Sequence, residues 1–307
     1  MQASRPTKSE HYAFEDLDEG VTFGRARPEG TALSNTGIVD LGKSTLIFDT
    51  SLTLHSAREI RGASLERTGR APSLAANSHW HLDHIVGNPI FADRPIYATQ
   101  RTIEILLEKR AELEGEFTRE KLESDIRELE RQRKATTTDA GRTQYDTSLR
   151  INRALLEEVA ELKLVPPSQG FETELKLPGD RDARLLTFGA GHTESDAMLF
   201  LGKSRILFSG DLVVAETHPN LQSGDPEHWL TVLDKIEGLR PERIVTGHGP
   251  LGSPETVAVM RDYLSTVLEL ARAPGEPEVP QRFRAWTEPD QFTGNIAYVR
   301  QRWAGQR

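Results

Sequence analysis

The sequence predicts an α+β fold interrupted by a helical hairpin, and three observations carry that prediction. Short apolar runs of strand length, several closing in glycine turns, lie on both sides of a charged stretch at about 101–165. Within that stretch 13 Lys+Arg and 15 Asp+Glu fall in 65 residues, while apolar residues keep a helical spacing. Beyond it, amphipathic segments at 228–239 and 254–271 alternate with the strands. At 307 residues the chain is long enough for one large domain or two. We read one, residues 1–307, with the helical insertion at about 101–165.

Residues 1–20 are polar and read as a frayed lead-in, and Val21 to Phe23 begins a strand. Asn35 to Leu41, the Gly42-Lys43 turn and Ser44 to Asp49 form a β-hairpin. Residues 54–67 are weakly helical and stop at Gly69 and Pro72; 73–77 is a strand, and Pro95 to Ala98 another. In the charged stretch, Leu122, Ile126 and Leu129, then Ile151, Leu155, Val159 and Leu162, mark two helices turning near Asp139-Ala140-Gly141. Pro166-Pro167 ends them. The hairpin serves as a lid, as an arm joining a homodimer, or as a solvated spacer. Strands return at 174–177, 184–188, 196–201, 205–209 and 243–245, and the aromatic tail from Pro280 should dock on the body.

Composition narrows the function. A hydrophobic fraction of 36% with 28% charged residues describes an ordinary globular chain. A net charge of -9 argues against nucleic acid, whose binding rests on Lys and Arg displacing counterions. With no cysteine there are no disulfides and no thiolate ligands, which leaves histidine and carboxylate to bind metal. No 18-residue apolar run occurs and the N-terminus lacks an apolar leader core, so we expect a soluble, cytoplasmic protein without a membrane partner.

The chemistry concentrates in Asn77-Ser78-His79-Trp80-His81-Leu82-Asp83-His84, directly after the apolar run Leu74-Ala75-Ala76. On an extended chain His79 and His81 project to one side. If the chain turns helical near Asp83, that residue and His84 reach a neighbouring position, so one segment offers two adjacent ligand sets. A surface turn is the alternative, but five of nine histidines lie here or in glycine-flanked turns. Three later strand ends each deliver one polar residue into such a turn: His192, Asp211 and His248. Glycine lets the backbone pass close to a metal without a Cβ clash.

These residues resemble the metallo-β-lactamase superfamily, whose fold is a four-layer αβ/βα sandwich. His79-x-His81-x-Asp83-His84, Gly191-His192-Thr193, Gly210-Asp211 and Gly247-His248-Gly249 match its ligand motifs in order, over roughly residues 20–100 and 170–260. The resemblance implies that His79, His81 and His192 bind one metal ion, that Asp83, His84 and His248 bind a second, and that Asp211 bridges them. Imidazole and carboxylate suit zinc, and iron or manganese also fit. Two such ions can share a hydroxide whose pKa has fallen to roughly 7. Asp83 is then the expected proton acceptor.

All seven positions are filled as in the glyoxalase II and lactonase types, so the expected reaction is hydrolysis of a small ester, thioester or lactone. Asp211 stands where zinc β-lactamases generally lack Asp, which counts against a β-lactamase-like amide hydrolase. A di-iron redox protein of the same fold typically carries Glu where this chain has His81. Asp49 is a candidate for orienting a ligand histidine, or a turn former. His218 lines the mouth of the site or a plain loop. Trp80 should point into the core, and His11, His55 and His228 read as surface or helix residues.

Overall fold

Two sheets face each other in the computed structural model, which describes residues 9–275 and 277–305. The first runs in sequence order through β1 (Tyr12–Asp18), β2 (Val21–Ala26), β3 (Thr36–Asp40), β4 (Thr45–Phe48), β5 (Leu74–Ala76), β6 (Ile96–Thr99) and β7 (Gln169–Phe171). It is antiparallel from β1 to β4 and parallel from β4 to β7. The second holds β8 (Glu174–Lys176), β9 (Ala183–Thr187), β10 (Ala197–Leu201), β11 (Ile206–Phe208) and β12 (Arg243–Val245), with only β11 and β12 parallel.

The period-two alternation of strand side chains sorts the core into layers. Val39, Leu46 and Phe48 of the first sheet meet Leu199, Phe208 and Val245 of the second. Their neighbours Ile38, Ile47 and Ala75 point outward, onto Ala57, Ile60 and Ala63 of α1 (Leu54–Thr68). On the other outer face, Met198, Phe200 and Leu207 pack on α7 (Pro226–Leu239), α8 (Pro254–Arg272) and α9 (Asp290–Gly305). Each fully buried Leu, Ile or Phe contributes roughly 1.5–3 kcal/mol. Helix, sheet, sheet, helix is the four-layer order expected.

Residues 1–8 of the lead-in lie outside the described residues; the rest of it behaves otherwise than its composition suggests. Residues 12–18 are an edge strand paired along β2, with Tyr12 fully buried. Glu59 of α1 accepts hydrogen bonds from the backbone of Glu10, His11 and Tyr12, pinning the approach to the strand. Charged side chains such as Glu15, Asp16 and Asp18 are what an exposed edge carries, and they hide the strand pattern.

Between β6 and β7 stand α3 (Gln100–Glu108), α4 (Arg110–Gly115), α5 (Arg119–Ala135) and α6 (Asp139–Glu158). The α5–α6 turn falls at 136–138, earlier than the Gly141 signal suggested. Thr138 caps α6 by accepting from Gly141 N, which draws that glycine into the first helical turn. Leu122, Ile151 and Leu155 bury against Leu52 and Val86, so this end of the hairpin is packed on the body. Glu158, 4% exposed, accepts from Leu54 N at 2.8 Å and His55 N at 2.6 Å, two of the free amides at the start of α1. Glu158→Ala should therefore cost about 1–2 kcal/mol, the value of a lost helix cap. A lowered denaturant midpoint at unchanged m-value checks this, and an unchanged midpoint would contradict it.

Candidate metal centre

The segment after β5 does not continue as a strand: it bends at Ser78, His79 and Trp80, and His81 then caps the single turn α2 (Leu82–Ile85). His79 and His81 still lie side by side, with ring centroids 4.6 Å apart. Asn77 staples this loop shut, donating to His84 O at 3.0 Å and to Asn88 Oδ1 at 3.1 Å. Three other strand ends arrive at the same end of the sandwich: β9 leads to His192, β11 to Asp211 and β12 to His248. Glycine is required in two of these turns. Gly210 has φ +52°, and a Cβ there would lie 2.5 Å from Ser78 Cβ; at Gly247 a Cβ would overlap Asp211 Oδ1.

The seven residues named from the sequence come together. His79, His81 and His192 form a triangle with ring centroids 4.6–4.7 Å apart. In a second trio, Asp83 Oδ2 lies 3.1 Å from His248 Nε2 and 3.4 Å from His84 Nε2. Asp211 faces both: Oδ1 is 3.2 Å from His84 Nε2, and Oδ2 is 3.3 Å from His248 Nε2 and 3.4 Å from His192 Nε2. Two ligands about 2.1 Å from one tetrahedral ion sit about 3.4 Å apart, so these gaps are of ligand-to-ligand size. His79 Nε2, His84 Nε2 and Asp211 Oδ1 are buried and form no hydrogen bond. Orphaned groups of this kind are costly unless something else partners them. The two trios, and His79, His84 and Asp211 between them, could each hold a metal ion.

Asp49 orients the second trio. At the end of β4 it takes a left-handed φ of +62°, a strain of order 1–3 kcal/mol for a residue with a side chain. Its carboxylate accepts from Ser78 N at 2.7 Å, Ser78 Oγ at 2.8 Å and His84 Nδ1 at 2.8 Å. With Nδ1 donating there, His84 turns Nε2 to Asp83 and Asp211, as expected of a carboxylate that orients a ligand histidine.

Electrostatics split the centre in two. Burial and the neighbouring imidazoles hold His79 well below its ordinary pKa. Burial likewise brings His81 to about 4 and His192 to about 3, despite the pull of Asp211. Burial also opposes charge on His84 and His248, but Asp83 and Asp211 outweigh it and raise both, His248 to about 10. Those two carboxylates are in turn held well below their usual range by His84 and His248, against the effect of burial. The centre thus calls for positive charge beside Asp83 and Asp211.

The remaining candidates divide. Trp80 turns away, donates Nε1 to Glu194 at 2.9 Å and packs with Ile105, Leu106 and Leu113 of the inserted helices. His218 does not line the mouth; it is buried among Tyr263, Trp286 and Phe292, with Nδ1 3.1 Å from the Tyr263 hydroxyl. His11, His55 and His228 lie outside the centre and bond to Thr31, Glu158 and the Ala190 carbonyl, respectively.

Three supporting residues carried no signal in the sequence. Asn35 donates to Thr246 O at 2.8 Å and Gly249 O at 3.0 Å, bracketing His248. Asp196 accepts from Gly191 N and Thr193 N on either side of His192, and burial pushes it up to about 7. Ser223 Oγ lies 3.1 Å from His81 Nε2.

A fold of this order with this constellation at the strand ends is that of a metal-dependent hydrolase class, and comparison agrees. The family model of the metallo-beta-lactamase superfamily matches residues 30–248, and the chain belongs to that superfamily. Membership implies a metal-dependent hydrolase, and the family usually binds divalent metals. Among curated proteins, a beta-lactamase-like protein 2 homolog of Caenorhabditis elegans is 39% identical over 61 residues; the match spans one fifth of either chain.

Solved structures share the fold at low identity. The metallo-β-lactamase DIM-1 has a TM-score of 0.59 at 17% identity, covering 83% of this chain and 97% of that one. A metallo-β-lactamase from Pontibacter korlensis has a TM-score of 0.59 at 15% identity, with 83% and 99% covered. FIM-1 from Pseudomonas aeruginosa, in its mono-zinc form, has a TM-score of 0.58 at 15% identity, with 85% and 97% covered. Among the described residues no helix is long and apolar enough to cross a membrane.

Proposed function

We propose that this chain is a hydrolase with two divalent metal ions, zinc foremost, that cleaves a small ester, thioester or lactone in a single catalytic domain with the 101–165 helices inserted. The observation that carries this reading is Asp211, whose two oxygens face His84 on one side and His192 and His248 on the other. His79, His81 and His192 would hold one ion, Asp83, His84 and His248 the other, and Asp211 both. Iron or manganese would suit the same donors. Cations bound there supply Lewis acidity toward a scissile carbonyl and lower the pKa of water to roughly 7.

The chain's own residues do the rest. Asp49 fixes the ring of His84, and Asn77 and Asn35 hold the turns from which the imidazoles project. Asp83 Oδ2 faces His84 and His248, which leaves Oδ1 to accept a proton from attacking water and pass it to the leaving group. An amide hydrolase acting on β-lactams is the second reading, favoured by what the structural neighbours are called. Turnover of lactones, thioesters, aryl esters, β-lactams and phosphodiesters by the zinc-loaded protein decides between them. The expected result is activity on one of the first three classes; activity on β-lactams alone would replace this reading with the second.

Metal uptake should depend on pH in one half only. Without metal His84 and His248 carry protons near neutrality, because Asp83 and Asp211 raise them. An ion entering that half expels those protons, so its affinity should rise with pH up to about 10, by as much as about tenfold per unit for each proton lost. His81 and His192 are neutral above about pH 4, so the other half should vary little from pH 6 to 9. Zinc dissociation constants at pH 6.5 and 8.0, read against a chromophoric chelator, check this. Two constants that are equally flat would contradict it.

A further inference from the structure

His81 is held differently from its two partners. Its Nδ1 lies 2.9 Å from His192 Nε2, so Nδ1 is the atom turned toward the triangle with His79. A nitrogen that ligates a metal must present a lone pair, and the other ring nitrogen of a neutral imidazole then carries the hydrogen. For His81 that nitrogen is Nε2, and it faces Ser223 Oγ at 3.1 Å.

Ser223 is itself fixed from behind by a helix outside the family-matched residues 30–248. On α9, Asn295 accepts from Leu221 N at 3.0 Å and donates to Pro219 O at 2.7 Å. Tyr298 donates its hydroxyl to Gly224 O at 2.9 Å, and Arg302 reaches Gly224 O at 3.3 Å and Asp225 Oδ2 at 2.6 Å. The segment is also clasped to the His192 turn: Asp225 N donates to Gly191 O at 3.0 Å, and a Cβ on Gly224 would overlap the carbonyls of Gly191 and His192. Five hydrogen bonds from α9 thus end within a few residues of one hydroxyl.

Resting on the two-metal reading above, we propose that Ser223 is a positioning residue that holds His81 in the tautomer presenting Nδ1 to the metal, and that α9 sets Ser223 in place through Asn295, Tyr298 and Arg302. The C-terminal helix is then part of what builds the metal centre, although it contributes no ligand.

The test compares wild type, Ser223→Ala, Ser223→Thr and the double variant Tyr298→Phe/Arg302→Met, each checked for fold by circular dichroism. Zinc affinity is measured by chelator competition, and the His81 tautomer by long-range proton–nitrogen NMR. The tautomer is read on metal-free protein, where wild type is expected to show Nε2–H at His81, and wild type is expected to bind two ions when zinc is supplied. Ser223→Ala should lose that signal and bind one of the two ions about 10–100-fold more weakly. Ser223→Thr, which keeps the hydroxyl, should restore both, and the double variant should move both in the direction of Ser223→Ala. Wild-type affinity and an unchanged His81 signal in Ser223→Ala would overturn the inference. So would weaker binding with the His81 signal intact, because that outcome reports packing alone. Wild-type behaviour of the double variant would overturn the part assigned to α9. A wild-type protein that takes up no zinc would instead overturn the hydrolase reading, and this inference with it.

Discussion

Asp211→Ala should leave a folded protein that binds at most one ion and has lost hydrolysis. Among the described residues Asp211 is the one side chain whose two oxygens face both trios, and Oδ1 is buried without a hydrogen bond. Removing it strips a carboxylate from each half at once. The loss in kcat should exceed the roughly 10²–10⁴-fold that a missing general base costs, because metal positioning is lost as well. The fold should survive, since Leu207 and Phe208 before it and Leu212 and Val213 after it are fully buried and hold the strand end. Deletion also relieves the centre of a carboxylate that raises His84 and His248. Metal analysis together with turnover checks the result. Two bound ions and near-wild-type turnover would contradict it.

Asp83→Asn separates the ligand role from the proton role. The amide keeps the shape of the side chain and can still offer an oxygen toward His84 and His248, now 3.4 and 3.1 Å away. It cannot take up a proton near neutral pH. The expected result is a fall in kcat of about 10²–10⁴-fold, with KM changed far less. The second ion should also bind more weakly, since one negative charge facing two imidazoles is gone. An equal loss in metal affinity and in kcat, recovered in full by excess zinc, would reduce Asp83 to a ligand and remove the proton transfer from the account.

The fold class was legible, and so was the gathering of the candidate ligands at one end of the sandwich, because both leave local marks. A polar residue delivered at the end of a buried strand is a local pattern: His192, Asp211 and His248 carry it in glycine turns, and His79, His81, Asp83 and His84 carry it together in the one segment after β5. What could not be read is the set of contacts that span the chain. Ser223 meets His81 from 142 residues away and Glu158 caps α1 from 104 residues away, and neither leaves a mark on its own neighbourhood. The first strand was hidden for a different reason: an exposed edge is best served by charge, so Glu15, Asp16 and Asp18 look like a tail. At the α5–α6 turn, a threonine cap mattered more than the glycine three residues later. His218 sits in a loop like the candidate ligand histidines, but the aromatic rings of α8, α9 and the segment between them draw it away from the centre.

The central claim is that hydrolysis here depends on two ions held by these seven side chains. The most direct measurement is the number of metal ions per chain, by elemental analysis, paired with turnover of the best substrate before chelation, after it, and after zinc is returned. The account predicts two ions per chain, activity lost with the metal and activity recovered with the second equivalent of zinc. Full turnover by metal-free protein, or recovery complete at one equivalent, would contradict it.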